Sequence, residues 1–294
     1  MFERIKADIL FNKLLKRPDI DRAYAMVPDT DSWYDTIKKV HESLDEIRNK
    51  PHRILEITSK DDLKLRGVYY PNESGSNLTV ICAHGYTSHA EREWAFPGLF
   101  YLSLGYNVLI PYQRAHGLSE GKYTSFGALE HIDMSCWVEK INDMNPGGKI
   151  VIHGLSMGGG IALDMSKIEM ENVKCLIADA PSISIEAFFK NVSKEVFKSN
   201  SDKVASYAIN RFKKEFGCDV RDFDGLETVS KSRYPILLSA GSNEHLEETF
   251  DKIKKANPNE TSIIILPGCN HGNGMYKQTE LYQNEIKRFL NDHI

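Results

Sequence analysis

Apolar residues follow two alternating rhythms along this chain. Short runs rich in Val, Ile and Leu stand at residues 78–83, 107–110, 149–153, 174–178, 236–240 and 262–266. Continuous runs of this kind predict strands buried on both faces. Stretches of helical spacing at 94–104, 127–142, 158–169 and 244–256 separate most of them. Two earlier runs, 54–58 and 63–70, flank the polar Lys60-Asp61-Asp62 and predict an antiparallel pair. Such alternation implies βαβ crossovers and an α/β fold: a mainly parallel, eight-stranded sheet covered by helices on both faces.

Two segments depart from that rhythm. Residues 1–50 predict a helical extension packed on the core, broken at Pro18 and Pro28, with Ser32 capping a second helix through Val40 and Leu44. The main domain then runs over 51–294. Within it, more than fifty residues separate the strand ending near Asp179 from the next at Ile236, more than one crossover helix requires. Phe188, Phe189, Val192, Val196 and Phe197, then Val204, Tyr207, Ala208 and Phe212, have helical spacing there. Residues 181–232 therefore predict a helical cap between strands six and seven. Its Phe188, Phe189, Phe197 and Tyr207 are candidates for an apolar pocket wall.

Composition narrows the function. With 294 residues, 41% hydrophobic and 27% charged, the chain can bury a full core. A net charge of −4 gives no basic footprint for nucleic acid, so small-molecule chemistry is the default. Five cysteines, an odd number without a C-x-x-C pair, include Cys82 and Cys175 inside apolar runs. That usage points to a reducing, cytoplasmic setting. Near the N-terminus the longest apolar stretch is residues 9–11, too short for a signal peptide or a membrane span. Phe2, Ile5, Ile9, Leu10 and Leu14 lie near helical spacing among Arg4, Lys6, Lys13, Lys16 and Arg17. The expected role is a helix packed on the domain, with a membrane-surface helix as the less favoured alternative.

The chemistry is concentrated in a few motifs. Gly154-Leu155-Ser156-Met157-Gly158 matches G-x-S-x-G, follows the apolar Ile150-Val151-Ile152 and precedes the small-residue stretch Gly158-Gly159-Gly160. Strand, turn and helix start are the context of a nucleophile elbow, whose tight turn requires glycine two places either side of the serine. Ser156 is then a nucleophile at a helix N-terminus, where the Met157 amide faces developing negative charge. A serine hydroxyl needs a base. His271, in Pro267-Gly268-Cys269-Asn270-His271-Gly272 after the last strand, is the candidate. The acid orienting it should follow strand seven, where Glu244 is the first carboxylate; Asp179 at the end of strand six is the alternative. His84-Gly85-Tyr86 closes strand three, placing the Tyr86 amide as second oxyanion donor and His84 as a brace for the loop.

Together His84-Gly85, the elbow and His271-Gly272 resemble the α/β-hydrolase superfamily, and in particular bacterial esterase-like or peptidase-like members with an N-terminal helical extension. The segment from Arg114 to Gly121 is similar to their R-x-H-G-x-S loop. The resemblance spans roughly residues 50–294. It implies an α/β-hydrolase fold and a serine hydrolase needing no cofactor or metal. Relatives usually carry aspartate where Tyr112 stands, and mostly aspartate at the acid position, where this chain has Asn243-Glu244. Serine at the elbow, rather than aspartate, argues against a haloalkane dehalogenase. The expected activity is hydrolysis of carboxylic esters. Amides, thioesters or short peptides would use the same groups, and a non-catalytic binding protein is the reading from another class.

Overall fold

The computed structural model describes residues 2–19, 31–257 and 260–294. The predicted break at Pro28 lies outside these residues. In chain order the elements are α1 (Phe2–Leu15), α2 (Asp31–Arg48), β1 (Arg53–Thr58), β2 (Lys64–Tyr70), β3 (Leu78–Ala83), α3 (Ala90–Ser103), β4 (Asn107–Pro111), α4 (Glu130–Met144), β5 (Lys149–Leu155), α5 (Met157–Asp164) and β6 (Val173–Asp179). There follow α6 (Ile185–Phe197), α7 (Ser201–Phe216), α8 (Gly225–Ser230), β7 (Ile236–Gly241), α9 (Glu247–Ala256), β8 (Thr261–Leu266), α10 (Gly274–Lys277) and α11 (Thr279–His293).

The eight strands form one sheet in the order β1-β2-β4-β3-β5-β6-β7-β8. β1, β2 and β4 pair antiparallel, and the rest pair parallel. Side chains alternate between two apolar clusters, one on each face of the sheet. Ile81, Ile152, Leu176 and Leu238 join the cluster that includes α1, α4, α5 and the helices between β6 and β7. Val80, Val151, Ile177 and Leu237 join the cluster that includes α2, α3 and α11. Both faces of the central strands therefore meet apolar partners, which is why these strands read as continuous runs.

Several boundaries differ from the sequence reading, each for a local reason. Ser32 is not a cap, since α2 already begins at Asp31. Helix α3 starts at Ala90 instead of residue 94 because His89 caps it, its ring accepting from the Arg92 amide at 3.3 Å. It also tolerates Pro97 internally. Proline cannot donate to the Glu93 carbonyl one turn earlier, and the Tyr276 hydroxyl donates to it instead at 3.4 Å. The expected helix over 244–256 is split. A 3₁₀ turn spans Ser242–Glu244, His245 adopts φ 54°, and α9 begins only at Glu247.

The β6–β7 connection is helical, as its length required, and holds α6, α7 and α8. Its aromatic residues divide. Phe189 and Phe212 are fully buried against one another, with ring centroids 5.9 Å apart. Phe197 and Tyr207 face α1 and lie beneath Lys6 and Arg4. Phe188 alone of the four candidates points back to the sheet. It stacks on Phe126 with centroids 3.9 Å apart and meets the Tyr86 ring at 5.6 Å. Of the four aromatic residues expected to form a wall, only Phe188 meets the loop after β3, because the others fill the space between the insertion's own helices and α1.

Candidate active site

The carboxyl ends of β3 and β5 are neighbours in the sheet, with Ala83 opposite Gly154. Their loops therefore meet where open α/β sheets bind ligands. Ser156 occupies the turn between β5 and α5 with φ 57° and ψ −114°, a backbone conformation that side chains other than glycine adopt only under strain. Three backbone bonds hold it there. The Ser156 amide donates to the Asp179 carbonyl at 2.8 Å, and its carbonyl accepts from Gly160 at 3.0 Å and Ser182 at 2.9 Å.

The glycines two positions either side allow the turn to close. A Cβ on Gly154 would lie 1.9 Å from the Gly158 carbonyl oxygen, and one on Gly158 would lie 2.0 Å from the Ala83 carbonyl oxygen. Both obstacles are backbone atoms that cannot rotate away. Gly158→Ala should therefore cost about 2–3 kcal/mol or more, measured by denaturant unfolding. Its folded fraction should also react poorly at Ser156. A variant as stable as the parent would contradict this account of the elbow.

Two loops bring their side chains to the serine. The His271 Nε2 lies 2.9 Å from the Ser156 Oγ, and its Nδ1 lies 2.6 Å from Glu244. A carboxylate only accepts, so Nδ1 carries the proton and Nε2 is left to accept from the serine hydroxyl. The loops are fixed to each other: Asn243 donates its amide to the Cys269 carbonyl at 3.1 Å and its side chain to Asn270 at 2.9 Å. Glu244 also accepts from the Gly241 amide at 2.9 Å, which locks the carboxylate at the end of its 3₁₀ turn. The hydrogen bond to Glu244 holds the His271 imidazole above its ordinary range, outweighing the opposing effect of burial.

Asp179, the alternative acid, is engaged elsewhere. Its buried carboxylate bonds His153 at 3.0 Å and accepts from the Ser239 and Tyr282 hydroxyls. Tyr101 completes this buried cluster at 2.9 Å from the other His153 nitrogen. The cluster packs beneath the elbow and ties β5, β6, β7, α3 and α11 together. Nothing in the apolar patterning signalled it, because its polar members are scattered singly across five elements.

His84 is buried with its Nδ1 on the Gly85 carbonyl at 2.9 Å, and its Nε2 accepts from the Gln113 amide at 3.1 Å. Burial pushes its pKa well below the ordinary value. It braces the loop with a fixed tautomer. Tyr112, standing where relatives carry aspartate, donates its hydroxyl to the buried Glu91 at 2.9 Å and lays its ring where a Cβ on Gly117 would sit. The loop is thus braced by a different side chain.

Met157 is the first residue of α5, so no intrahelical carbonyl is available to its amide. The Tyr86 ring packs against Phe126 at 5.3 Å, and its hydroxyl donates to the Leu14 carbonyl of α1 at 2.5 Å. Burial raises that phenol to about 12. The preceding residue, Gly85, is held by Glu93, whose carboxylate accepts the Gly85 amide at 2.7 Å. A Cβ on Gly85 would stand 3.5 Å from the Ser156 Cβ and 3.2 Å from the Glu93 carboxylate, so Glu93 is a near neighbour of the serine.

Glu93 was not visible in the sequence, where it precedes the expected start of α3. Burial raises it from 4.5 to about 7, against the opposing hydrogen bonds from Ser88 and Gly85. Between those two values the folded protein keeps a proton that the unfolded chain has lost. Stability is therefore fully present at the acid end of the window and falls as pH rises through about 7. Glu93→Gln, which keeps an acceptor for Gly85, should remove that slope. In denaturant titrations across the window, the variant should gain up to about 3 kcal/mol on the parent at the alkaline end. A constant difference between the two would rule this out.

Sheet order, elbow and the serine–histidine–carboxylate array together define an α/β-hydrolase. A family model described as serine aminopeptidase, S33, matches residues 75–223, and the chain belongs to that family. The matched segment contains the β3 loop and the elbow, while Glu244 and His271 lie beyond it. The Bacillus subtilis (strain 168) protein YqkD, described as uncharacterized, is 28% identical over 239 residues, covering 78% of this chain and 75% of its own. The Pyrococcus furiosus esterase Pf2001 superposes with a TM-score of 0.66 at 28% identity, over 86% of this chain and 93% of that one. Est1E from Butyrivibrio proteoclasticus, solved with ferulic acid bound, shares the fold at a TM-score of 0.64 and 19% identity, over 81% of this chain and 98% of its own.

Proposed function

We propose that the protein is a serine hydrolase of carboxylic esters acting through an acyl-enzyme. The observation carrying this reading is the continuous chain Ser156 Oγ–His271–Glu244, at 2.9 and 2.6 Å, on a strained elbow. Ser156 attacks the ester carbonyl while His271 Nε2 takes its proton, and the Glu244 carboxylate stabilises the imidazolium that forms. The amides of Tyr86 and Met157 receive the oxyanion. Collapse of the tetrahedral intermediate expels the alcohol, which leaves with the proton held on His271. Water then attacks the acyl-serine with His271 as base, and release of the acid restores the free serine.

Ester preference is supported by the 28% identity to Pf2001, an esterase. The family description, serine aminopeptidase, favours a second reading in which the same groups cleave amides. A panel of p-nitrophenyl acyl esters of graded length and aminoacyl p-nitroanilides separates the two. Higher kcat/KM on esters is expected, and a clear anilide preference would replace the ester reading. Labelling by an active-site-directed fluorophosphonate tests the nucleophile itself. The native protein should label, and failure to do so would sink both readings.

A further inference from the structure

Helix α1 is apolar on two opposite faces. Its inner face buries Ala7, Leu10, Phe11, Leu14 and Leu15. Phe11 packs edge-on against Tyr123 at 5.2 Å and stacks on Phe216 of α7 at 6.3 Å. This face also reaches the site, through the bond from Tyr86 to the Leu14 carbonyl and a bond from the Thr124 amide to the Leu15 carbonyl at 2.8 Å. Packing on the domain therefore accounts for half of the helix.

The other half has no counterpart among the described residues. Phe2, Ile5 and Ile9 follow one another at three- and four-residue spacing, which places them in one stripe. At 79%, 53% and 55% exposed they are the three most exposed large apolar side chains among the described residues. Single exposed apolar residues need no explanation, whereas a contiguous stripe does. Lys13 and Lys16 are exposed on the same half-circumference, and Lys6 at its edge reaches over the Phe197 ring. The two carboxylates of α1, Glu3 and Asp8, lie to its flanks, and Asp8 is paired with Arg211 at 2.8 Å. The bias extends to the neighbouring cap. Residues 2–17 and 185–216 carry twelve Lys and Arg against six Asp and Glu, in a chain whose net charge is −4.

We infer that the outer face of α1 is a docking surface for an anionic lipid bilayer. An apolar stripe with lysines beside it, whose adjoining carboxylate Asp8 is already paired with Arg211, is the chemistry that lies in a lipid headgroup layer, with the apolar side chains entering the acyl boundary and the ammonium groups meeting lipid phosphates. A second copy of this chain fits less well, since two such stripes face to face would bring six lysines together. The inference is independent of the catalytic reading, because Ser156 and His271 take no part in it.

The test is co-sedimentation of the full chain with vesicles of phosphatidylcholine alone or mixed with phosphatidylglycerol. Ser156→Ala protein can be used so that no hydrolysis intervenes. Binding is expected to the mixed vesicles only, and to weaken as salt is added. The triple change Lys6→Gln, Lys13→Gln, Lys16→Gln should weaken it by roughly a hundredfold, about fivefold per lysine near the surface. Phe2→Ser, Ile5→Ser, Ile9→Ser should abolish it. Lys6 also lies over the Phe197 ring, so unchanged thermal unfolding of the glutamine variant guards against a loss of packing there. Equal binding to neutral vesicles, no binding, or binding untouched by both variants would overturn the inference. So would a parent dimer that the serine variant turns into a monomer, since the stripe would then be a contact between copies.

Discussion

Replacing Ser156 by alanine should lower ester hydrolysis by about 10⁶-fold and abolish fluorophosphonate labelling, with the fold unchanged. The loss is this large because base and acid act only through the serine oxygen. Once that atom is removed, His271 has no hydroxyl to deprotonate, and what remains is the contribution of the oxyanion amides and binding. Stability should respond differently. At φ 57° and ψ −114° the residue has a strained backbone whether its side chain is serine or alanine, so Ser156→Ala should unfold close to the parent. Ser156→Gly removes the Cβ that causes the strain and should raise stability by about 1 kcal/mol or more, at the same loss of activity. Activity and thermal unfolding measured on the pair separate the two roles of one position. Retained hydrolysis by Ser156→Ala would remove the nucleophile from the proposal.

That the elbow could be read from sequence follows from its physics. A strand buried on both faces, a strained turn and close backbone approach each restrict residue type, and all three fall on consecutive residues from Ile150 to Gly160. His271 could be found because a base must follow the last strand and glycines flank it. What escaped the sequence depends on contacts between distant segments. Glu93 is marked by no pattern, since its role comes from the Gly85 amide eight residues earlier meeting it across the mouth of the sheet. Phe189, Phe197 and Tyr207 have the same spacing and chemistry as Phe188. The packing of α6 on α7, and of both on α1, decides that one of the four meets Tyr86 while the others are covered elsewhere. The two-faced nature of α1 was hidden for a related reason. Phe2, Ile5 and Ile9 read as core residues until Leu10, Phe11 and Leu14 are seen to supply the packing.

Glu244→Gln should reduce kcat/KM by about 10⁴-fold and change its pH dependence. His271 accepts the serine proton only when neutral, so activity falls as pH drops through the pKa of its imidazole. The Glu244 hydrogen bond and charge hold that pKa above the ordinary 6.5. Without the carboxylate the imidazole loses its proton more readily, and the acid limb of the profile should move to lower pH even as the plateau falls. The two effects have separate origins. The plateau drops because a glutamine amide can donate to Nδ1 and favour the tautomer whose Nε2 is already protonated, while the limb moves because a negative charge is gone. Glu244→Asp keeps the charge but shortens the reach of a group that now spans 2.6 Å to His271 and 2.9 Å to the Gly241 amide. It should hold the limb near its parental position at an intermediate rate. Asp179→Asn should leave the limb in place and lower thermal stability instead, since its carboxylate serves His153, Ser239 and Tyr282. If Asp179→Asn moves the limb and Glu244→Gln does not, the acid behind His271 is Asp179, and the 2.6 Å contact of Glu244 is structural.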